Sequence, residues 1–397
     1  MIRRLARSGL ARSGLALSGA ALIAACGSQV ARVTSTGPPT VTAPLSTSLV
    51  TAQGTWAIAV MGGSAASDNN FWQLFVRPAG TSRWALVTPQ DVADNGGLVA
   101  AGGNTSLVVG FRPSQNLAFS PLATSTDTGR NWTPGLLDAG LADTPGAIAV
   151  SPSGRILALL QDGTIAAAAT GSAAAAGQWT SLTTRNALAA SAQGRSCGLA
   201  GVIAVSFGPN DDPMAAGSCT RPGVAGVFTD AGGTWRSAGL TLPGSVNRGR
   251  VQVLGLAATA GGNAALLQAG NSLLAAWWDG TRWTVSAPVT AGRVRALGFG
   301  AGGSAWALLG NGRAETIGGA GSSWRALPPV PAGTQVLVPA GTQVLVPRGT
   351  ATLAPDADGS YDALAVAGAK LTVWRLAQGA WAKAQLITVP IQYGSSG

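Results

Sequence analysis

The stretch Ser125-Thr126-Asp127-Thr128-Gly129-Arg130-Asn131-Trp132 decides how the chain is read, because Thr229-Asp230-Ala231-Gly232-Gly233-Thr234-Trp235 repeats its order of Asp, x, Gly, x, Asn or Thr, Trp. Each residue type has a local job. The Asp can accept hydrogen bonds from turn amides, the Gly is free to take positive φ, and the Trp is large enough to bury between sheets. The pattern therefore marks a hairpin and not a catalytic centre. Asp127, Gly129 and Trp132, with Asp230, Gly232 and Trp235, are its structural residues.

With the Trp as a ruler, weaker relatives of the hairpin end at Trp84, Trp179, Trp283, Trp324 and Trp381. The series 84, 132, 179, 235, 283, 324, 381 has successive gaps of 48, 47, 56, 48, 41 and 57 residues. Between the Trp lie short apolar runs bounded by Gly, Pro, Asp and Asn. In the third repeat these are Ala147 to Val150, Ile156 to Leu160 and Thr164 to Ala168, ahead of Trp179. Runs of four to six residues without intervening helical periodicity argue an all-β chain, and a period of this length with several strands per unit is that of a propeller blade. The expected fold is a seven-bladed β-propeller of four-stranded antiparallel blades over residues 46–397. Each sheet is expected to close within its own repeat, with blade one packed on blade seven unless Ser48 to Ala52 or the C-terminal strand changes partner. In the second repeat the strands are placed at Gly97 to Val99, Leu107 to Phe111 and Leu117 to Phe119.

The quoted hairpins resemble the Asp-box of the BNR-repeat propellers, the family that includes sialidases and sortilin-type receptors. The resemblance covers the hairpin repeats and stops short of an active site. Sialidases of that family use an Arg triad, a Tyr nucleophile with a Glu partner, and an Asp acid on a six-bladed ring. Here Tyr361 and Tyr393 are the only Tyr, Glu315 is the only Glu, and there is no His. Lack of His removes Ser-His-Asp and Cys-His catalysis and the commonest transition-metal ligand, and glycoside hydrolysis needs two placed carboxylates. No catalytic residue and no cofactor are assigned. A glycan hydrolase remains the enzyme alternative, with Tyr361 among Asp and Arg at the mouth of the ring.

Residues 1–25 read as a lipoprotein signal peptide. Arg3, Arg4, Arg7 and Arg12 form a basic n-region, and Leu15 to Ala25 an apolar stretch too short to span a bilayer. Ile23-Ala24-Ala25-Cys26 resembles a bacterial lipobox, with Cys26 as the lipidated residue. Residues 26–45, with Gly37-Pro38-Pro39-Thr40 and many Ser and Thr, read as a flexible tether. The expected location is the extracytoplasmic face of a bacterial membrane. In an exported chain, Cys197 and Cys219 can oxidise. They flank a hairpin whose turn, Gly208 to Asp212, starts at their midpoint, so a disulfide is expected.

Loss of the leader lowers the net charge from +10 to +6. That mild excess, with no basic helix or Lys-rich run, is no nucleic-acid footprint. Asp356-Ala357-Asp358-Gly359-Ser360-Tyr361-Asp362 resembles part of a calcium loop, giving Asp356, Asp358 and Asp362 as weak ligand candidates, although a plain turn explains it. Gly298-Phe299-Gly300-Ala301-Gly302-Gly303 fits a dinucleotide fingerprint without a following helix. The tandem copies Ala332 to Pro339 and Ala340 to Pro347 are expected to add a hairpin between blades six and seven. If Asp-box hairpins hold one rim, the connectors and middle hairpins hold the other. That second rim would gather Arg195, Arg221, Arg248, Arg250, Arg293, Arg313 and Arg348, with Asp91, Asp94, Asp138 and Asp143 on blades two and three. The expectation is a monomeric binding or scaffold module for a protein or an anionic envelope polymer, or else an assembly factor for a membrane complex.

Overall fold

The computed structural model of the chain describes residues 46–62, 70–88, 97–102, 106–111, 121–136, 146–160, 162–169, 178–244, 246, 249–259, 261–328, 350–356 and 360–389. They form consecutive antiparallel meanders. The first is β1 (Ser46–Thr51), β2 (Gly54–Gly62), β3 (Asn70–Pro78) and β4 (Ala85–Leu86). Next come β5 (Gly97–Gly102), β6 (Ser106–Phe111), β7 (Pro121–Ser125) and β8 (Thr133–Leu136). Then follow β9 (Ala147–Val150), β10 (Ile156–Leu159), β11 (Thr164–Ala168) and β12 (Thr180–Thr184). The fourth meander is β13 (Leu199–Phe207), β14 (Pro213–Cys219), β15 (Gly226–Ala231) and β16 (Thr234–Ser237). After it run β17 (Val251–Thr259), β18 (Gly262–Ala269), β19 (Ser272–Trp278) and β20 (Trp283–Val285), with the two-residue β21 (Val289–Thr290) added on β19. The last two are β22 (Val294–Phe299), β23 (Ala305–Leu309), β24 (Ala314–Ile317), β25 (Arg325–Ala326), and β26 (Thr350–Pro355), β27 (Tyr361–Ala367), β28 (Lys370–Ala377), β29 (Ala380–Thr388).

The second strands β10, β18, β23 and β27 are buried along nearly their whole length. A strand covered on both faces loses the apolar and polar alternation of a half-exposed one, which is why these segments read as unbroken apolar runs. The first strands gather together: β1 lies against β5, β5 against β9, β9 against β13, β13 against β17, β17 against β22, β22 against β26, and β26 against β1. This closed circle of antiparallel meanders is a β-propeller arrangement.

Two expectations are corrected. The sheets do not all close within their repeats. β1 pairs with β2 and also, in parallel, with β22 (Ser48 opposite Gly298), and the last two residues of β14 pair with Val251 and Gln252 of β17. The first contact depends on Gly298, where a Cβ would stand 2.5 Å from the Trp306 indole nitrogen and 2.8 Å from Ser48 Oγ. The second arises because the β14–β15 ladder stops at Gly217 opposite Gly226, leaving the edge of Ser218 and Cys219 open. The third strand of the second meander is Pro121–Ser125, while Leu117 to Phe119 lie outside the described residues. The long connector before β13 is helical: α1 (Arg185–Ala190) is capped by Thr184 Oγ1, and α2 (Ala192–Cys197) starts on the Ser191 hydroxyl and ends at Gly198 with φ 67°. No helix among the described residues is long and apolar enough to cross a membrane.

The Trp ruler corresponds to the packing between meanders. Trp132 lies in a core with Trp56, Ile58 and Leu74 of the preceding unit; Trp235 packs with Leu157, Ile165 and Leu188, Trp283 with Val227 and Leu240, Trp324 with Leu266 and Trp277, and Trp381 with Trp306 and Leu327. Trp84 enters the core of the last meander beside Leu364 and Val373. Most of these indoles also donate backward: Trp132 Nε1 to Val87 O (3.0 Å), Trp283 to Ala238 O (2.9 Å), Trp324 to Ser286 Oγ (3.2 Å) and Trp381 to Pro328 O (2.9 Å). Every acceptor stands three or four residues after the preceding Trp in the series.

The junction of first and last meanders is different. Trp84 Nε1 donates to Asp362 Oδ2 (2.8 Å), which also takes Arg77 Nη1 (2.8 Å), and Arg375 grips both oxygens at 2.9 and 3.0 Å. Gln385 clasps the backbone of Trp84, accepting from its N–H at 2.8 Å and donating to its carbonyl at 2.9 Å. Asp362 is 0% exposed and Arg77 3%.

The two Asp-box copies fold differently. Asp127 takes the amide of Asn131 (2.9 Å) and the Ser125 hydroxyl (3.0 Å), with Gly129 at φ 76°. Asp230 instead sits inside β15 opposite Trp235, with a tight turn at Gly232 (φ 63°) and Gly233 (φ 84°), and its buried Oδ1 meets no partner. The Asp127 geometry recurs at Asp279, ahead of Trp283, which accepts from the Thr281 and Arg282 amides at 2.8 and 2.9 Å.

Two outcomes are expected. Asp362→Asn leaves Arg375 at the seam without its counter-charge and Arg77 with Asp356 alone, so urea unfolding should show a loss of about 3–5 kcal/mol; a loss under about 1 kcal/mol, the worth of an exposed pair, would mean that the circle closes without it. The Asp279 carboxyl is held down from 3.8 to about 2 by the Thr281 hydroxyl and then by the Arg282 and Thr281 amides. A depressed folded-state pKa gives a contribution present above the ordinary value and lost as pH falls toward the lower one. NMR of its side-chain carbon should thus titrate near pH 2, moving up toward 3.8 in Thr281→Val.

Candidate basic rim

Antiparallel alternation puts the connectors between meanders and the turns between second and third strands at one end of every unit. A chain of hydrogen bonds ties these segments together. Arg221 donates its amide to Cys197 O (3.1 Å) and Nη1 to Ser196 O (3.1 Å), joining the turn after β14 to α2. Gly223 N reaches Gly249 O (3.1 Å), Gln268 Nε2 reaches Gly292 O (3.3 Å), and Gly310 N reaches Arg293 O (2.7 Å). The Cys197–Cys219 disulfide fastens the end of α2 to the end of β14, with Cα atoms 5.4 Å apart, as the spacing of the two Cys led us to expect.

This belt carries Arg195, Arg221, Arg250 and Arg293, all exposed, and none has a carboxylate partner among the described residues. Arg195 donates to the Ala190 carbonyl, a contact that keeps its charge uncompensated. Arg313 is half-buried and pairs with Glu315, itself buried. Arg185, which opens α1, joins the same end and was not singled out from the sequence. Its place in the connector that holds Arg195 was the available signal. Arg248, Arg348, Asp91, Asp94, Asp138 and Asp143 lie outside the described residues, as do Cys26, Asp358 and the tandem copies at 332–347.

The other end has a different electrostatic character. Asp127 and Asp279 satisfy turn amides, and both carboxyls are pulled below the usual range, Asp127 chiefly by the Asn131 amide. Arg130 and Arg282 stay beside them, and Arg155 Nη1 bonds Asp211 O at 2.9 Å. Charges there are interleaved and largely engaged with each other. At the Arg-rich end, the exposed acid among the described turns is Asp162, which caps Thr164.

The calcium reading is not supported where it can be checked. Asp362 is enclosed by Arg77, Arg375 and Trp84, and Asp356 pairs with Arg77 at 2.8 Å. A turn pattern in sequence cannot reveal that its carboxylates face cations from the opposite end of the chain. Among the described residues no group of three or more His, Cys, Asp or Glu could hold a metal. The Gly298 to Gly303 segment is likewise no phosphate cradle: it forms one 3-10 turn, Ala301–Gly303.

No family model matches the chain, and no curated protein matches it. Solved structures do. A protein from Lactobacillus plantarum is 11% identical, with a TM-score of 0.48, covering 84% of this chain and 96% of its own. AztD from Citrobacter koseri is 10% identical at a TM-score of 0.48, over 84% and 95% of the two chains. YCF48 from Cyanidioschyzon merolae is 15% identical at 0.44, over 82% and 95%. No residue of this chain takes a role from them.

Proposed function

We propose that the chain is a seven-bladed propeller lipoprotein whose Arg-bearing rim docks an anionic partner, and that it works as a binding or scaffold module without catalysis. The observation that carries this reading is the row of exposed, uncompensated guanidiniums along connectors bonded to one another. Unpaired cations held on a rigid edge attract a polyanion from a distance and then form charge-assisted hydrogen bonds with it. Because they are spread over several meanders, an extended acidic polymer of the cell envelope fits better than a compact ligand. The leader pattern and Cys26 support display from the extracytoplasmic face of a membrane, with residues 26–45 as tether.

The hydrolase alternative has less support. Burial pushes the Tyr361 phenol up, away from the readily ionised state that a nucleophile uses. Glu315 and Asp356 are both tied to Arg.

The test uses the anchored protein and isolated cell envelopes. Binding should weaken at least about tenfold between ~0.05 and ~0.5 M salt, and Arg250→Glu with Arg293→Glu should weaken it to the same degree at low salt while thermal unfolding is unchanged. Cys26→Ser should move the protein from the membrane to the soluble fraction. Affinity indifferent to salt and to charge reversal would refute the rim as a docking surface, and a membrane-bound Cys26→Ser protein would refute the anchor.

A further inference from the structure

Ile317-Gly318-Gly319-Ala320-Gly321-Ser322-Ser323-Trp324-Arg325 has no Asp in its turn, unlike the hairpins that end at Trp132, Trp235 and Trp283. Its glycines keep the turn thin: a Cβ on Gly321 would meet nothing within 4 Å, and one on Gly318 only the Ser322 side chain. Across from it lie Pro355 and Asp356 at the end of β26 and Tyr361 at the start of β27. Between them is a cleft of about 700 Å³, reaching Val50 of β1 and Ser304 at its inner end. By the same alternation it opens at the end opposite the Arg-bearing rim.

The wall chemistry restricts what fits. The Ser322 and Ser323 hydroxyls can each donate and accept, the Thr316 and Tyr361 hydroxyls bond each other and Thr316 also donates to the Arg325 carbonyl, the Arg325 side chain donates, and Asp356 accepts. Ile317, Pro355 and the Tyr361 ring supply apolar surface between them. A phosphate or other small anion calls for converging donors and is repelled by the Asp356 carboxylate in the wall. A peptide adding as a strand needs an open sheet edge, but β25 is a two-residue strand, Arg325–Ala326. A ligand with hydroxyls that act in both senses around C–H faces matches every part of this lining.

We infer that this cleft binds a saccharide. Trp324 fixes one wall by burying against the preceding meander and bonding Ser286, and the Asp356–Arg77 pair fixes the other by joining it to the seam at Asp362. The site is therefore held before a ligand arrives, which limits the ordering cost of binding. Asp356 serves as a hydrogen-bond acceptor while paired with Arg77, so recognition without bond cleavage is the expected outcome.

Maltotriose, mannotriose and tri-N-acetylglucosamine, followed by saturation-transfer NMR and calorimetry on the full mature protein, give the test. At least one should bind, and Ser323→Trp, an exposed change that fills the cleft, should weaken it at least tenfold with the unfolding temperature unchanged. Arg325→Gln should weaken it less, and Arg250→Glu with Arg293→Glu, on the other end, should leave it intact. The sugars should come back uncleaved. Absence of binding by all three, affinity retained in Ser323→Trp, or displacement of the sugar by inorganic phosphate would each overturn the inference. Because the envelope assay reads the opposite rim, failure of one does not entail failure of the other.

Discussion

An indole reaching back into the neighbouring sheet is the contact on which this molecule depends. A meander has two apolar faces and cannot hide either alone, so the side chains of Trp84, Trp132, Trp235, Trp283, Trp324 and Trp381, each worth roughly 4–6 kcal/mol at most from the ~150–250 Å² it buries, are wedged into a neighbouring unit, while Trp179 packs on Val150 and Ile156 of its own. The indole N–H must then find an acceptor in a dry interface. Val87, Ala238, Ser286 and Pro328 supply it from the same place in the first, fourth, fifth and sixth units, just past the short last strand. The repeat length in the sequence is thus a distance between rungs. Trp235 is the exception among these rungs: its nitrogen is buried without a partner, and so is Asp230 Oδ1 across the same strand pair.

A circle of such units needs one junction that sequence neighbours cannot make. The last strand, β29, runs nine residues from Ala380 to Thr388 against β28 with one register shift, between Lys383 and Gln385, and the Trp84 indole turns to a side chain of β27 instead of a carbonyl past the last strand. Asp362 provides the missing acceptor, and its burial demands compensating cations, which Arg77 and Arg375 provide. Thr47 and Ser48 of β1 add hydrogen bonds to Thr352 and Leu353 of β26. The seam adds a buried charge cluster to an apolar core of the kind found at the other interfaces, and its geometry is stricter, since a charge buried without its partners is far more costly than a loose methyl group.

This explains what could be read from the chain alone. The Trp spacing and the apolar runs were legible because a rung is local: motif, wedge and acceptor lie within about one repeat. The disulfide was legible for the same reason, through a single hairpin. Asp362, a weak calcium candidate in a stretch that a plain turn explains, could not be recognised as the acceptor of the seam, because its partner Arg77 lies 285 residues away and no local pattern encodes that meeting. Asp230 was grouped with Asp127 because their spacing to Trp is identical, but Gly233 stands where the first copy has Arg130. Two consecutive glycines permit a two-residue turn with positive φ at both positions, which draws the Asp into the strand. The helices at 185–197 were hidden by brevity: two six-residue segments carry no periodicity, and they are held by the Thr184 and Ser191 caps and the cystine.

The difference between the two ends of the molecule follows from the same economy of contacts. Where the Trp hairpins turn, acidic side chains are needed to hold amides that the sheet leaves open, as at Asp127 and Asp279, and their basic neighbours settle beside them. Where the connectors cross, helix caps, backbone pairs and a disulfide already hold the chain, and the guanidiniums of Arg195 and Arg221, bonded to carbonyls, and of Arg250 and Arg293 keep their charge uncompensated by any carboxylate among the described residues. Side chains that the fold does not require can be chosen for what they attract. One hairpin without an acidic plug, at Gly318 to Arg325, argues the same way, for a hydroxyl-lined space lies beside it. Position in the fold sets which residues are structurally committed, and the uncommitted ones define the surfaces on which a partner can act.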